Sequence, residues 1–171
     1  QDSGPRALVL QGLRRLARND DIDADFFENI AHIQPHRRSR ALRRLTSVLE
    51  NTFNHSSNTE TRTSSFVNDE LRALATEFAM PLSYRIALDV SEISTNASKH
   101  VKAAESRNAA SSDVYPWAAA ACGSAVKHFP PSEYRKVLTR LLHRLPREEN
   151  ETRLQSMYLV VVAVAESCPT F

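Results

Sequence analysis

The most informative features of this chain of 171 residues are the residue types that it has in small number. It contains only three glycines and eight prolines, which is hard to reconcile with a turn-rich β protein. Neither GxGxxG nor GxxxxGK followed by Ser or Thr occurs, so no phosphate-binding loop is indicated. The plentiful residues, Ala, Leu, Arg and Glu, favour helices. The composition therefore predicts an all-α protein.

Cysteines and long apolar runs are also scarce. Cys122 and Cys168 lie in apolar stretches without a CxxC partner, so neither a disulfide framework nor a zinc site is indicated, and we expect free, buried thiols. No apolar run approaches the ~20 residues that a membrane span needs. Residues 1–10 lack the layout of a signal peptide. We therefore expect a soluble, intracellular protein with no membrane partner.

Apolar residues recur at helical spacing along most of the chain. Polar loops are expected at about residues 54–65 and 91–113, and helices are expected to end or bend at Gln34–Pro35, Pro81 and Pro146. The run MYLVVVAVA could instead be a buried strand, but no second β-like segment exists to pair with it. The predicted helices begin near Pro5, Phe26, His36, Phe66, Leu82, Pro116, Ser132 and Glu151. Asp113 and Ser132 are the predicted N-caps of two of them. The apolar stripe of the second helix is predicted to consist of Phe26, Phe27, Ile30 and Ile33.

The order of these helices predicts an architecture. They are joined by proline-containing corners or polar loops, often with two helices to a unit. This order is typical of an α-solenoid of HEAT-like antiparallel helix pairs, and we interpret residues 1–171 as one helical-repeat segment. Apolar residues on more than one side of several helices favour the solenoid, in which each unit packs between neighbours. A closed helical bundle is the alternative.

Residues able to carry catalysis do not form a recognisable pattern. Glu28, His32 and His36 have the spacing of one helix face and could there bind a divalent metal, but Pro35 interrupts that helix. The histidines in the second half of the chain have no nucleophile signature near them. We therefore predict that the protein is not an enzyme and that it has no cofactor, no metal site and no small-molecule substrate.

Basic residues are grouped in two short segments. Five arginines lie within eight positions, namely Arg37, Arg38, Arg40, Arg43 and Arg44. A second stripe at near-helical spacing consists of Lys136, Arg140 and Arg144, followed by Arg147. Either group could bind RNA phosphates or an acidic protein surface, although most such stripes are ordinary solvated faces. The net charge of +2 is too small to demand nucleic acid, so an anionic partner would need such a local face.

One stretch has the character of a family signature. Residues 23–45, DADFFENIAHIQPHRRSRALRRL, resemble the start of the signature domain of the DRIM (down-regulated in metastasis) family. These are very large HEAT-repeat proteins of the small-subunit processome, associated with the U3 small nucleolar RNA. FAMPL, WAAAACGSAVKHF and SEYRKVLTRLLHRL are similar to later helices of that family in order and character. Pro35 and the two polar insertions depart from the family pattern.

The resemblance implies a function and a location. The chain would be a section of a much longer solenoid that serves as a non-enzymatic scaffold in the nucleolus, within the nucleus. It would support assembly and pre-rRNA processing of the small ribosomal subunit. The implied partners are processome proteins, the U3 small nucleolar RNA and pre-rRNA. The alternative is a generic HEAT-type protein–protein adaptor that is unrelated to ribosome assembly.

Overall fold

The computed structural model describes residues 4–17, 25–55, 63–97 and 114–169. Within these ranges the chain is helical apart from short connections, and no strand is present. This confirms the prediction of an all-α protein, and MYLVVVAVA is helical rather than a strand. The elements are α1 (Pro5–Leu16), α2 (Phe26–Ile30), α3 (Pro35–His55), α4 (Thr63–Leu74), a π-helical turn (Ala75–Ala79), α5 (Met80–Ala97), α6 (Val114–Val126), α7 (Pro131–Arg144), a 3-10 turn (Leu145–Arg147) and α8 (Glu151–Glu166).

Side chains at the helix starts explain several of these boundaries. The Asp25 carboxylate accepts hydrogen bonds from the backbone N–H groups of Phe27 and Glu28, at 2.7 and 3.2 Å, and so caps α2. The Asn150 side chain caps α8 in the same way through the N–H of Arg153, at 3.0 Å. The N-cap predicted at Ser132 is wrong. Pro131 occupies the first turn of α7, where its missing N–H costs nothing, and Pro130 is the N-cap.

The chain remains helical through Pro81, where we expected a bend or a break. In a regular α-helix the proline ring would collide with the carbonyl group four residues before it. The π-helical turn ends at Ala79, two residues before Pro81, and the Met80 N–H bonds to the carbonyl of Ala75, five residues back. In a turn of this kind the N–H bonds to the carbonyl five residues back instead of four, so the backbone ahead of the proline differs from that of a regular α-helix. Helix α4 therefore continues into α5 without a connecting loop.

Both predicted polar loops are shorter than expected within the described residues. Helix α3 runs to His55 and α4 begins at Thr63, so both ends of the first loop are helical. Helix α5 runs to Ala97, so the first part of the second loop is helical as well. Ser, Thr and Asn cost only a few tenths of a kcal/mol more than Ala in a helix, so an amphipathic helix extends through them. The remaining loop positions and the predicted cap Asp113 lie outside the described residues, and α6 begins at Val114 rather than near Pro116.

Helix α6 lies at the centre of the described fold and packs against α3, α5 and α8. Its buried side chains are mostly small, so neighbouring helices approach closely. At Gly123 a Cβ atom would lie 2.8 Å from the backbone carbonyl oxygen of Ala163 in α8, closer than real Cβ contacts allow. The core of α6 consists of Val114, Ala118, Ala119, Ala121, Cys122, Ala125 and Val126.

Polar contacts join α3 to α6 and α1 to α4. Glu50 of α3 accepts a hydrogen bond from Ser124 of α6 at 2.9 Å and pairs with Lys127 at 3.3 Å. Helix α1 packs against α4, where Arg15 and Glu70 form an ion pair at 2.8 Å. Helix α7 packs against α8. The described helices are thus joined by both apolar and polar contacts.

The signature stretch forms a helix, a corner and a second helix. Phe26 is fully buried in the same core as Leu42 and Leu45. Ile33 and Phe27, by contrast, are 91% and 41% exposed, so the predicted stripe of α2 is wrong at these two positions. Ile33 is exposed because α2 ends at Ile30, which places Ile33 in the corner before Pro35. Phe27 directly follows the buried Phe26, and adjacent residues of a helix do not share a face. Helix α3 begins at Pro35, one residue earlier than predicted, because proline suits the first position of a helix.

Candidate partner-binding faces

The two predicted basic groups lie on separate helices of the structure. We call Arg37, Arg38, Arg40, Arg43 and Arg44 the α3 face, and Lys136, Arg140 and Arg144 the α7 face. Helix α3 packs against α2 and α6, whereas α7 packs against α8. The two faces therefore differ in the parts of the fold that surround them.

Much of the α3 face contacts the protein itself. The Arg43 guanidinium lies over the Trp117 ring of α6, with 4.5 Å between its central carbon and the ring centroid. The Arg44 guanidinium donates a hydrogen bond to the backbone carbonyl of Arg15 at 3.1 Å. That carbonyl belongs to the last turn of α1, where carbonyl groups lack helical partners and attract cations. These two arginines connect α3 to α6 and to α1, so they are not simply a solvated face.

The remaining arginines of the α3 face differ in exposure. Arg38 is partly buried, and this burial lowers its pKa, against a smaller raising effect of Tyr115. Arg37 is also partly buried, whereas Arg40 is exposed. Arg40 lies beside Asp25 and Asn29 in a recess of about 130 Å³ at the start of α2. This recess is smaller than a typical small-molecule pocket, so the α3 face offers local cation contacts rather than a cavity.

The α7 face borders a larger groove. This groove has a volume of about 440 Å³ and lies between the π-helical turn, the start of α5, and α7. We call it the α5–α7 groove. Its apolar lining includes Met80, Phe129, Val137 and Leu141, and the three cations of the α7 face lie along it. The other residues that line it are Thr76, Pro81, Tyr84 and Glu133.

The charges along the groove are unevenly distributed. Lys136, Arg140 and Arg144 are exposed and follow one another at intervals of four residues, so they lie on one side of α7. Glu133 is the one carboxylate among the lining residues and lies in the first turn of α7, where a negative charge suits the helix dipole. The groove is therefore cationic over most of its length and acidic at the start of α7.

Tyr84 lines the groove and contacts Arg144 of the α7 face. The Arg144 guanidinium lies over its ring at 5.8 Å from the centroid. Burial raises the pKa of Tyr84, which outweighs the opposing effect of the Arg144 charge and hydrogen bond. The phenol is therefore neutral at neutral pH, and its hydroxyl can donate or accept a hydrogen bond.

The groups that could carry out chemistry are dispersed. Burial raises the pKa of Cys122 to about 12, which keeps it a thiol rather than a reactive thiolate. Cys168 is exposed, contrary to prediction, because it follows the end of α8. In the described part of the chain, no group of three or more His, Cys, Asp or Glu residues could hold a metal ion. Glu28 and His36 lie on different helices, since α2 ends between them.

The sequence predicted the α7 cations, but it did not predict the groove. The floor is assembled from Met80 in one helix and Val137 and Leu141 in another, more than fifty positions apart. In the sequence, Met80 stands out only because it belongs to FAMPL, a segment that is similar to a later helix of the DRIM family. In the ranges that the structure describes, no helix is both long and apolar enough to cross a membrane. Comparisons with protein-family models, curated proteins and solved structures find no match for this chain.

Proposed function

We propose that this chain is a section of an α-solenoid of HEAT-like antiparallel helix pairs that acts as a non-enzymatic scaffold of the small-subunit processome. In this role it works in the nucleolus and supports assembly and pre-rRNA processing of the small ribosomal subunit. The observation that carries the proposal is the resemblance of residues 23–45 to the DRIM family. The all-helical fold and the two basic faces are consistent with such a scaffold.

The conformation of the signature stretch supports a structural role for its apolar residues. Phe26 is buried, and its ring contacts the Phe78 ring of the π-helical turn edge to face, at 6.0 Å between centroids. Leu42 and Leu45 are buried in the same core. Phe26, Leu42 and Leu45 therefore join successive helices, whereas Phe27 is 41% exposed. On the basic side Arg40 and Arg43 are exposed, although Arg43 and Arg44 also contact other helices.

The outer side of α8 supports stacking of further helices. Tyr158, Leu159 and Val162 are 54%, 44% and 50% exposed, and their spacing places them on one side of α8. Exposed apolar groups in a row are typical of surfaces that pack against another element. A neighbouring helix pair of a solenoid would bury this row, since each unit of such an array packs between two others.

The experiment that tests the processome role is affinity purification of the full-length protein from cells. RNA is extracted from the purified complexes, and the recovered U3 small nucleolar RNA and pre-rRNA are measured against a mock purification. We expect both RNAs to be strongly enriched together with processome proteins. Recovery of cytosolic protein partners alone would overturn the proposal.

That contrary result would favour the second candidate, a HEAT-type protein–protein adaptor unrelated to ribosome assembly. The α5–α7 groove favours this candidate more than the α3 face does, because an apolar floor beside exposed charges is typical of protein recognition sites. In this case, a cross-linked partner protein would be recovered without either RNA.

A further inference from the structure

We infer that the α5–α7 groove binds an acidic, amphipathic peptide segment of a protein partner. The inference deepens the proposed scaffold function by naming the chemistry of one partner, and it does not require that this partner belong to the processome. It is carried by the shape of the groove, its apolar floor and the charges along it.

The first argument is the shape and composition of the groove. Its volume of about 440 Å³ can hold one or two large apolar side chains of a ligand. Leu141, Phe129 and Met80 are buried beneath it, and the partly buried Val137 completes an apolar floor. Burying an apolar side chain there would remove its surface from water and so contribute to binding. A ligand without apolar side chains would leave this contribution unused.

The second argument is charge complementarity. Lys136 and Arg140 are exposed, and neither has a hydrogen-bond or ion-pair partner among the residues that the structure describes. Carboxylates of a ligand that follow one another along a peptide could pair with both cations and with Arg144. Arginine is suited to this because its guanidinium binds a carboxylate through two parallel hydrogen bonds. Glu133 would repel an acidic group at the start of α7, so the carboxylates of the ligand would lie along the later turns of this helix.

The third argument distinguishes a peptide from RNA. Single-stranded RNA is usually held by aromatic faces on which bases stack. In this groove Phe129 is buried, and the Arg144 guanidinium lies over one face of the Tyr84 ring. The rest of the floor is aliphatic or sulfur-containing. The groove thus has the cations that a phosphate backbone needs but little aromatic surface on which bases could stack, so a peptide fits better.

The test uses the purified 171-residue chain and fluorescence anisotropy with three fluorescein-labelled probes. The first probe is a short peptide in which Leu and Phe recur at helical spacing and form one side of a helix, with Glu and Asp at the positions beside them. The second is the same peptide with every Leu and Phe replaced by Ser. The third is oligouridylate of similar charge. Circular dichroism of each protein variant verifies that it remains folded.

Two protein variants are compared with the wild type. Arg140→Glu reverses a charge in the groove, and the matched control Arg135→Glu reverses an exposed charge on the same helix that does not line the groove. We expect saturable binding of the first peptide, and at least about tenfold weaker binding by Arg140→Glu, equivalent to about 1.4 kcal/mol. The Ser peptide should bind the wild type at least about tenfold more weakly. Arg135→Glu should change the affinity less than about twofold.

Several results would overturn the inference. Equal losses in Arg140→Glu and Arg135→Glu would indicate general charge attraction, and equal binding of the Ser peptide would show that the floor is not used. Binding of oligouridylate alone, sensitive to Arg140→Glu, would make the groove an RNA site. Absence of peptide binding by a folded wild-type chain would also reject it. Because this assay contains only the purified chain, its failure is distinct from a failure to recover U3 RNA with the full-length protein.

Discussion

At the scale of single residues, the arginines of the α3 face have different roles. Arg44 binds the backbone carbonyl of Arg15 at the end of α1, whereas Arg140 of the α7 face makes no such contact among the described residues. A helix end held by a cation is stabilised both by a hydrogen bond and by the helix dipole. Neutral replacement of the two residues should therefore affect stability differently.

We predict that Arg44→Met lowers the free energy of unfolding by about 1 kcal/mol, since it removes a charge-assisted hydrogen bond at a partly exposed site. In thermal denaturation this corresponds to a fall in Tm of about 2 to 4 °C for a chain of this size. Arg140→Met serves as the control and should change stability by less than about 0.5 kcal/mol. Equal Tm values for the two variants would contradict a structural role for Arg44.

The surroundings of His128 disfavour its protonation. Its Nε2 atom lies 3.0 Å from the backbone carbonyl oxygen of Leu49, which joins the end of α6 to α3. Burial lowers the pKa of His128 below the ordinary value of 6.5 and is the largest effect. The Leu49 hydrogen bond opposes it, and the charge of Lys127 adds to it. The neutral ring can donate its Nε2 proton to the Leu49 carbonyl.

This shift predicts a loss of stability in mild acid. Because the folded pKa is lower than 6.5, the unfolded chain binds the proton more readily than the folded protein. The contribution of neutral His128 is fully present above pH 6.5 and is lost as the pH falls from there toward the folded pKa. The slope for a single proton is at most about 1.4 kcal/mol per pH unit.

The measurement is urea denaturation at several pH values between neutrality and mild acid. His128→Gln keeps a hydrogen-bond donor but does not titrate, so its stability should depend less on pH in this window than that of the wild type. Parallel curves for the wild type and His128→Gln would contradict the prediction.

At the scale of elements, Pro81 illustrates how a local sequence rule can fail. Proline normally interrupts a helix, and the sequence contains no signal for the π-helical turn that precedes it. The wider turn changes the backbone register before the proline, so α4 and α5 remain continuous. Whether a helix ends or adapts at a proline depends on the packing of both flanking segments. Here α4 packs against α1 and α5 packs against α6 and α8.

We predict that Pro81→Ala changes the free energy of unfolding by less than about 1 kcal/mol, because the π-helical turn already avoids most of the ring collision. Arg85→Pro, at an exposed position one turn later in α5, should cost about 3 kcal/mol or more, since the turn directly before it is regular α-helix. Chemical denaturation of both variants measures the difference. A similar loss in the two would mean that the turn does not accommodate the proline.

The helices themselves could largely be predicted from the sequence. Periodic apolar residues indicated α1, α3, α7 and α8, and the strand alternative was correctly disfavoured for MYLVVVAVA. Boundaries were less accurate, because the polar residues of the predicted loops are tolerated in helices that tertiary packing supports. Ser132 was a plausible cap by residue type, yet Pro131 determined the helix start. Where a helix begins thus depends on which of several cap and first-turn residues within one turn is used.

At the scale of the whole molecule, the basic residues could be predicted but their surroundings could not. Helical spacing placed Lys136, Arg140 and Arg144 on one side of α7, as the structure has them. The same rule placed Arg43 and Arg44 on a solvated side of α3, but contacts with Trp117 and the Arg15 carbonyl involve distant parts of the chain. The α5–α7 groove likewise combines residues of α7 with Met80, which is distant from the cations in sequence. Spacing determines the side of a helix but does not identify its neighbours.

The outer side of α8 has a consequence for the behaviour of the whole chain in solution. Tyr158, Leu159 and Val162 form an exposed apolar row, and a second copy of the chain offers the same row for mutual burial. Burial of this area contributes about 25 cal/mol for each Å² removed from water. We therefore expect the purified chain to self-associate reversibly as its concentration rises.

Replacing both Leu159 and Val162 by Lys should weaken this self-association at least about tenfold, because two charges would have to be desolvated in place of two apolar groups. Sedimentation velocity over a range of concentrations measures the effect. Leu10→Lys, which alters an exposed leucine of α1, is the matched control and should leave association unchanged. A wild-type chain that stays monomeric, or equal association by all three proteins, would contradict the prediction. Monomers at every concentration would also remove the support that the α8 row gives to stacking of helix pairs in a solenoid.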